Sequence, residues 1–310
     1  AQCPRGVKQI EIGVALRRLA SSYDVFPASA RSARSVRAGL ITDGNPLGGD
    51  RARRADWARG LGVKPFVEGT EILFFTCCYL GYDPRMRKVA AATARILSRA
   101  GVDFGILGER ESCCGESVRK TGGEAVWKTL AKENVKAFVD AGVRKILVSS
   151  PHCYHTIRNE YPELMVNFEV VHTTQLLLDL IRAGKIRIGK GCAKRVTWHD
   201  PCYLGRHNGI YDQPREILGS IPGLDLVEME STREASLCCG GGGGRVWMDT
   251  PKGERFSDLR IEQARARGAE VLATACPYCI TMFEEARLKI EGEYEIAVKD
   301  ITEMLEEAIQ

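Results

Sequence analysis

The feature of this 310-residue chain that most limits how it can fold is an internal repeat of its cysteine loops. Cys78-Tyr79-Leu80-Gly81 recurs as Cys202-Tyr203-Leu204-Gly205, Cys113-Cys114-Gly115 as Cys238-Cys239-Gly240, and Ser150-Pro151-His152-Cys153 as Cys276-Pro277-Tyr278-Cys279. The offsets are 124, 125 and 126 residues, so one unit has been duplicated with almost no change of length. Two units of ordinary size fit the chain, and two cores are expected. The division runs 1–70 as an N-terminal lead-in, 71–190 as a first repeat with a degenerate motif, and 191–310 as a second repeat with a complete one.

Residues Arg5 to Ala20 carry a helical apolar pattern, after which Ser21 to about Gly69 is rich in Gly, Pro, Ser and Arg without sustained periodicity. The first repeat opens with the strand-like run Ile72-Leu73-Phe74-Phe75, which delivers Cys78 beyond its end. Asp83-Pro84 then caps a helix with Met86, Val89, Ala90, Thr93, Ile96 and Leu97 on one face, closed by Gly101. Strands around 104–107, 146–148 and 168–171 alternate with helices over about 124–141 and 175–181. The second repeat retraces this path through strands at 196–198, 271–273 and 296–298 to a terminal helix capped by Asp300, with Glu303 three residues on. Such alternation predicts an α/β protein of two duplicated Rossmann-like repeats with mainly parallel sheets, preceded by a helical and irregular N-terminal segment. Ligands of such sheets sit at strand carboxyl ends, where each cysteine motif falls.

Lys plus Arg exceed Asp plus Glu by only 44 to 40, too mild a balance to argue for nucleic acid. No apolar run approaches the roughly 18 residues of a membrane span, and no signal-peptide pattern is read at the start. The twelve cysteines fall largely in adjacent or Cys-x-x-Cys pairs within a chain large enough for a hydrophobic core. That favours thiolate ligands in a reducing cytoplasm over a disulfide framework.

Cys202, Cys238, Cys239, Cys276 and Cys279 bring five thiols to one sheet edge. Thiolates are soft donors that select iron–sulfur clusters, zinc or copper. Structural zinc needs four ligands, normally from two Cys-x2-4-Cys knuckles, so adjacent cysteines with a fifth thiol fit iron–sulfur better. Gly240, Gly241 and Gly242 begin a five-glycine run that lets the backbone wrap a bulky anion with N–H groups aimed at its sulfurs, unless it is a mere linker. His199 and His207 flank Cys202 as candidate proton carriers, or else as hydrogen-bonded structural residues. Cys3-Pro4 matches the end of a ferredoxin run Cys-x2-Cys-x2-Cys-x3-Cys-Pro, making Cys3 a candidate ligand of a ferredoxin-type [4Fe-4S] cluster and residues 1–70 a candidate remnant of a ferredoxin domain. The alternative is an ordinary loop cysteine.

These residues resemble the cysteine-rich "CCG" domain family, typified by catalytic subunits of heterodisulfide reductases and by related iron–sulfur oxidoreductases. The resemblance covers about residues 70 to 310, and Asp200-Pro201-Cys202-Tyr203-Leu204-Gly205-Arg206-His207 with Arg245-Val246-Trp247-Met248 is most similar to the ferredoxin-fused type. It implies a noncubane [4Fe-4S] cluster on the second-repeat cysteines that reduces a disulfide with electrons from a partner. An electron relay between a flavoprotein and a quinone or another enzyme is the alternative. Implied partners are ferredoxin-like, flavoprotein or membrane cytochrome subunits and a disulfide or thiol substrate, with a location peripheral to the cytoplasmic membrane through one of them. The first repeat departs from the pattern at Ser150. Its remaining thiols, Cys78, Cys113, Cys114 and Cys153, suit a second iron–sulfur cluster or zinc, with Cys77 or His152 as substitutes, or an empty structural copy. A serine hydroxyl replaces a thiolate poorly, so the first repeat is expected to differ from the second in its metal centre. Cys192 lies outside both patterns.

Overall fold

The computed structural model describes residues 5–26, 31–248, 250–251, 253–289 and 294–309, with the side chains of 31–34 excluded. Cys3 lies outside the described residues. The strands are β1 (Lys64–Pro65), β2 (Ile72–Phe75), β3 (Phe104–Ile106), β4 (Lys145–Val148), β5 (Glu169–His172), β6 (Arg195–Trp198), β7 (Asp225–Val227), β8 (Val271–Thr274) and β9 (Ala297–Asp300). They form two wholly parallel sheets, ordered β1-β3-β2-β4-β5 and β7-β6-β8-β9. Apart from β1 the two orders are the same, so the duplication read from the cysteine loops holds for the whole unit. Every residue of β2 and β8 is buried, as expected of strands covered on both faces.

Local chemistry accounts for the element ends. The Asp83 carboxylate accepts from the amides of Arg85 and Met86 at 2.9 and 3.0 Å, and the helix Pro84–Arg99 buries the apolar face expected of it. At the last strand of each repeat the same device recurs with different residues. His172 and Asp300 are N-caps, each joined by its N3 residue, Gln175 or Glu303, in a reciprocal capping box.

One continuous core runs through both repeats instead of the two expected. The reason is reciprocal packing. The helix Pro84–Arg99 of the first repeat lies on Ile301–Ala308 of the second, and Thr173–Arg182 of the first lies on Asp212–Gly219 of the second. Ion pairs tie the same seams, Arg85 to Glu303 at 2.8 Å and Arg182 to Glu216 at 2.5 Å. The lead-in also joins the fold, since β1 adds an edge to the first sheet, and Leu40, Trp57 and Phe66 enter the core.

Candidate metal centre

Each repeat orders its strands so that the chain changes direction across the sheet between β2 and β4, or between β6 and β8. In open α/β sheets the crevice beyond the carboxyl ends at such a switch point is where ligands bind. Cys202 follows β6, Cys276 and Cys279 follow β8, and Cys238 and Cys239 follow β7. Their sulfurs form a chain of side-chain contacts, Cys202 to Cys238, Cys238 to Cys239, Cys239 to Cys279 at 3.3 Å, and Cys279 to Cys276. In the first repeat Cys78 contacts Cys113, Cys113 contacts Cys114, and Cys114 contacts Cys153. Gly115, at φ 81°, and Gly240, at φ 89°, donate their amides to Cys113 and Cys238 at 3.4 and 3.3 Å. Both repeats therefore build the same sulfur nest.

The donor set fits a soft multinuclear cation. The eleven described cysteines are all free thiols, nine of them lie in these two nests, and Cys77 lines the same cleft as the first-repeat four. Several are inclined to ionise without any metal. Hydrogen bonds from Cys202 and Cys239 pull the Cys238 thiol far below its usual range. Burial would raise Cys276, but Cys279 and His152 outweigh it and hold it at about 5. Contacts with Cys113 and Cys153 bring Cys114 to about 6. Cys192 stands apart, its amide donating to the Pro222 carbonyl.

His199 is fully buried, and burial followed by the charge of Arg260 lowers its pKa to about 3. Its Nδ1 accepts from Arg260 Nε at 3.1 Å, so the ring proton resides on Nε2, which has no hydrogen-bond partner among the described residues. One ring nitrogen lies within 4.8 Å of the Cys239 and Cys279 sulfurs. A guanidinium against the same ring disfavours zinc there and suits a ring that donates toward sulfur. His207 instead lies at a mouth beside Cys202, neutral at pH 7 because burial and then His155 lower it to about 4.

The glycine run divides. Gly240 donates to sulfur, while the carbonyls of Gly241 and Gly242 accept from the amides of Val246 and Arg245. A β-carbon on Gly242 would meet only His152 at 3.6 Å, an ordinary contact. We therefore expect Gly242→Ala to keep wild-type iron content and Gly240→Val, strained at its positive φ, to lose iron, as measured by iron and acid-labile sulfide per chain. Equal iron in both variants would remove the amide of Gly240 from the site.

Several of the contacts here gave no sequence signal. Arg54, from the lead-in, is buried, pairs with Glu111 at 2.5 Å and directs Nη1 and Nη2 at Cys78 from 3.7 and 3.8 Å. Gly81 admits it, since a β-carbon there would lie 3.2 Å from the Arg54 carbonyl. Asp200 holds the Cys202 loop by accepting from Trp198, from both terminal nitrogens of Arg215 and from the Arg233 amide, at 2.7 to 3.0 Å. The third residue of each Cys-x-x-Cys-type loop crosses into the other repeat. Tyr278 meets Ser117 Oγ at 2.9 Å, and His152 pairs with Glu116 at 3.3 Å while its ring reaches Cys276. The His152 ring lies 4.5 Å from both Tyr203 and Tyr278.

A cavity of about 390 Å³ opens onto Cys202 and Cys238. Ile10, Gly13, Val14 and Arg17 of the helix Gln9–Ser22 form one wall, with Arg206, His207 and Arg245 on the other side. A second cavity of about 710 Å³ adjoins it at Tyr203, His207 and Lys120. Among the described residues no helix is long and apolar enough to cross a membrane.

The family described as "CCG: Cysteine-rich domain" matches residues 72–158 and 196–284. The chain is 36% identical to the EtfAB:quinone oxidoreductase of Syntrophomonas wolfei and 38% identical to the probable iron-sulfur-binding oxidoreductase FadF of Bacillus subtilis, in each case over 99% of this chain and 45% of that protein. It is 34% identical to one component of the dihydromethanophenazine:CoB--CoM heterodisulfide reductase of Methanosarcina barkeri, over 99% of this chain and 75% of that one. The chain thus spans about half the length of the first two relatives.

Proposed function

This chain belongs to the CCG cysteine-rich domain family, and we propose that it is the part of an iron–sulfur oxidoreductase that reduces a disulfide with electrons from a partner protein. Cys202, Cys238, Cys239, Cys276 and Cys279 would hold a noncubane [4Fe-4S] cluster, which supplies single electrons to a bound disulfide. The observation that carries the reading is the cavity onto Cys202 and Cys238, since its volume lies within the range of small-molecule sites, roughly 300–1,000 Å³. A relay that only passes electrons needs no such opening.

The protein's own contribution is orientation and access. Asp200 and Arg215 hold the Cys202 loop against the segment that carries Cys238, and Gly240 fixes the Cys238 sulfur through its amide. Arg17, Arg206 and Arg245 line the opening and favour an anionic substrate or a departing thiolate. His207 at the mouth is better placed than the sealed His199 to exchange a proton with that thiolate. By the name of the Syntrophomonas relative, the partner proposed is an electron-transferring flavoprotein.

The test uses protein prepared without oxygen, assayed for iron, acid-labile sulfide and reduction of disulfides by an artificial one-electron donor. Gly13→Trp adds a ring at a helical position with no heavy atom within 4 Å of its β-carbon, on the wall of the opening. We expect unchanged iron content and a disulfide KM raised roughly tenfold or more. Full iron without any disulfide turnover in the wild type would leave the relay between a flavoprotein and a quinone, which the Syntrophomonas relative's name favours.

A further inference from the structure

We infer that the first repeat is not a degenerate copy but a second five-thiolate iron–sulfur site, in which Cys77 takes the place of the thiol missing at Ser150. The inference rests on the iron–sulfur reading above and extends it to ligands that the family pattern does not supply.

The order of sulfur contacts carries the argument. In the second repeat the chain of contacts ends with Cys239 on Cys279 and Cys279 on Cys276. In the first it ends with Cys114 on Cys153 and Cys153 on Cys77. Cys77 thus stands to Cys153 as Cys276 stands to Cys279. Ser150 and Cys77 are both buried and line the same small cleft as the other four thiols.

In these thiols the repeats differ at two matched positions. Position 150 loses the thiol that position 276 has, and position 77 gains one where position 201 is proline. The backbone changes with it. Cys77 adopts φ 55°, a left-handed conformation that non-glycine residues rarely hold and that proline cannot reach. Such a conformation persists only where the surroundings impose it and marks functional positions more often than others.

His152, the other residue able to stand in for Ser150, is committed elsewhere. It pairs with Glu116, packs at a tilt against the rings of Tyr203 and Tyr278, and reaches Cys276 of the other repeat. Arg54 and the Gly115 amide bring positive charge and a hydrogen bond to Cys78 and Cys113, as a polyanionic cluster with five thiolates requires.

Iron and acid-labile sulfide per chain, with electron paramagnetic resonance of the reduced protein, provide the test on the anaerobically prepared holoprotein. Cys77→Ala and Cys114→Ala are expected to lose the same amount of iron, to lose the same resonance, and to keep the second-repeat resonance. Ser150→Ala is expected to match the wild type in both. Cys77→Gly removes the thiol while relieving the left-handed backbone, so its loss of iron would not reflect misfolding. Wild-type iron in Cys77→Gly, or in Cys114→Ala, would overturn the inference, as would loss of the first-repeat resonance in Ser150→Ala. A wild type without iron would instead overturn the iron–sulfur reading itself.

Discussion

Cys238→Ala is expected to empty the second-repeat site of iron and to bring disulfide reduction to background, while the circular dichroism spectrum stays that of a folded α/β protein. Cys238 is the thiol most strongly driven toward its thiolate, with Cys202 and Cys239 against it on either side and the Gly240 amide donating to it. Removing it breaks the chain of sulfur contacts between Cys202 and Cys239, which no neighbouring oxygen or nitrogen ligand can repair, because iron–sulfur chemistry needs a soft deprotonated donor. The cost to folding is small. Cys238 is only half-buried and sits in a loop beyond β7, whereas the core is made by strands and helices such as β6, β8 and Pro277–Arg287, so a loss of about 1 kcal/mol or less is anticipated. Iron analysis, resonance of the reduced protein and thermal unfolding measure the three quantities separately. Cluster resonance retained in this variant would sink the assignment of Cys238 as a ligand.

Arg215→Met should destabilise the protein by about 3–5 kcal/mol, since it leaves the Asp200 carboxylate buried without its cation. The pair is bidentate, at 2.7 and 2.9 Å, and Asp200 is almost wholly removed from solvent. Burial alone would raise the Asp200 pKa, but Arg215 together with the Arg233 amide offsets it and the folded-state value lies below the usual carboxylate range. The sign follows from linkage. A depressed carboxylate contributes stability above its unfolded value, about 3.9, and loses that contribution as pH falls through the lower folded value. Arg215→Met should therefore flatten, in this acid window, the fall in stability that the wild type shows. Replacing both partners, Asp200→Asn with Arg215→Met, should recover much of the loss, because the only carboxylate left without Arg215 is then the partly exposed Glu228. Denaturant unfolding across pH distinguishes these outcomes. An Arg215→Met protein as stable as the wild type at neutral pH would show that Asp200 does not depend on that pairing.

Much of the architecture was legible because it follows from short-range rules. The run Ile72–Phe75 is buried on both faces of a parallel sheet, Asp83 caps the helix that its sequence announces, and Asp300 with Glu303 forms the capping box. Cys202, Cys276 and Cys279 were legible for the same reason, since each lies a few residues beyond a strand, and Cys238 and Cys239 were legible as an adjacent pair followed by glycine. Arg54 was not, because 24 residues and an irregular segment separate it from the sulfur it faces. Nor was the single core, which arises from helices of one repeat packing on those of the other.

The sequence by itself determined the duplicated α/β units, the strand ends that carry the cysteines and the soft chemistry of the site, because hydrophobic periodicity, capping and residue type act within a few positions. Only the tertiary structure decided that His152 and Tyr278 each reach across to the opposite repeat, that a cavity opens at Cys202, and that Cys77 lies against Cys153. Those relations depend on how the two repeats dock and on which way a backbone turns at one residue. Docking is set by the summed packing of the reciprocal helices, and the turn by contacts from residues distant in the chain, so neither leaves a periodic trace in the sequence.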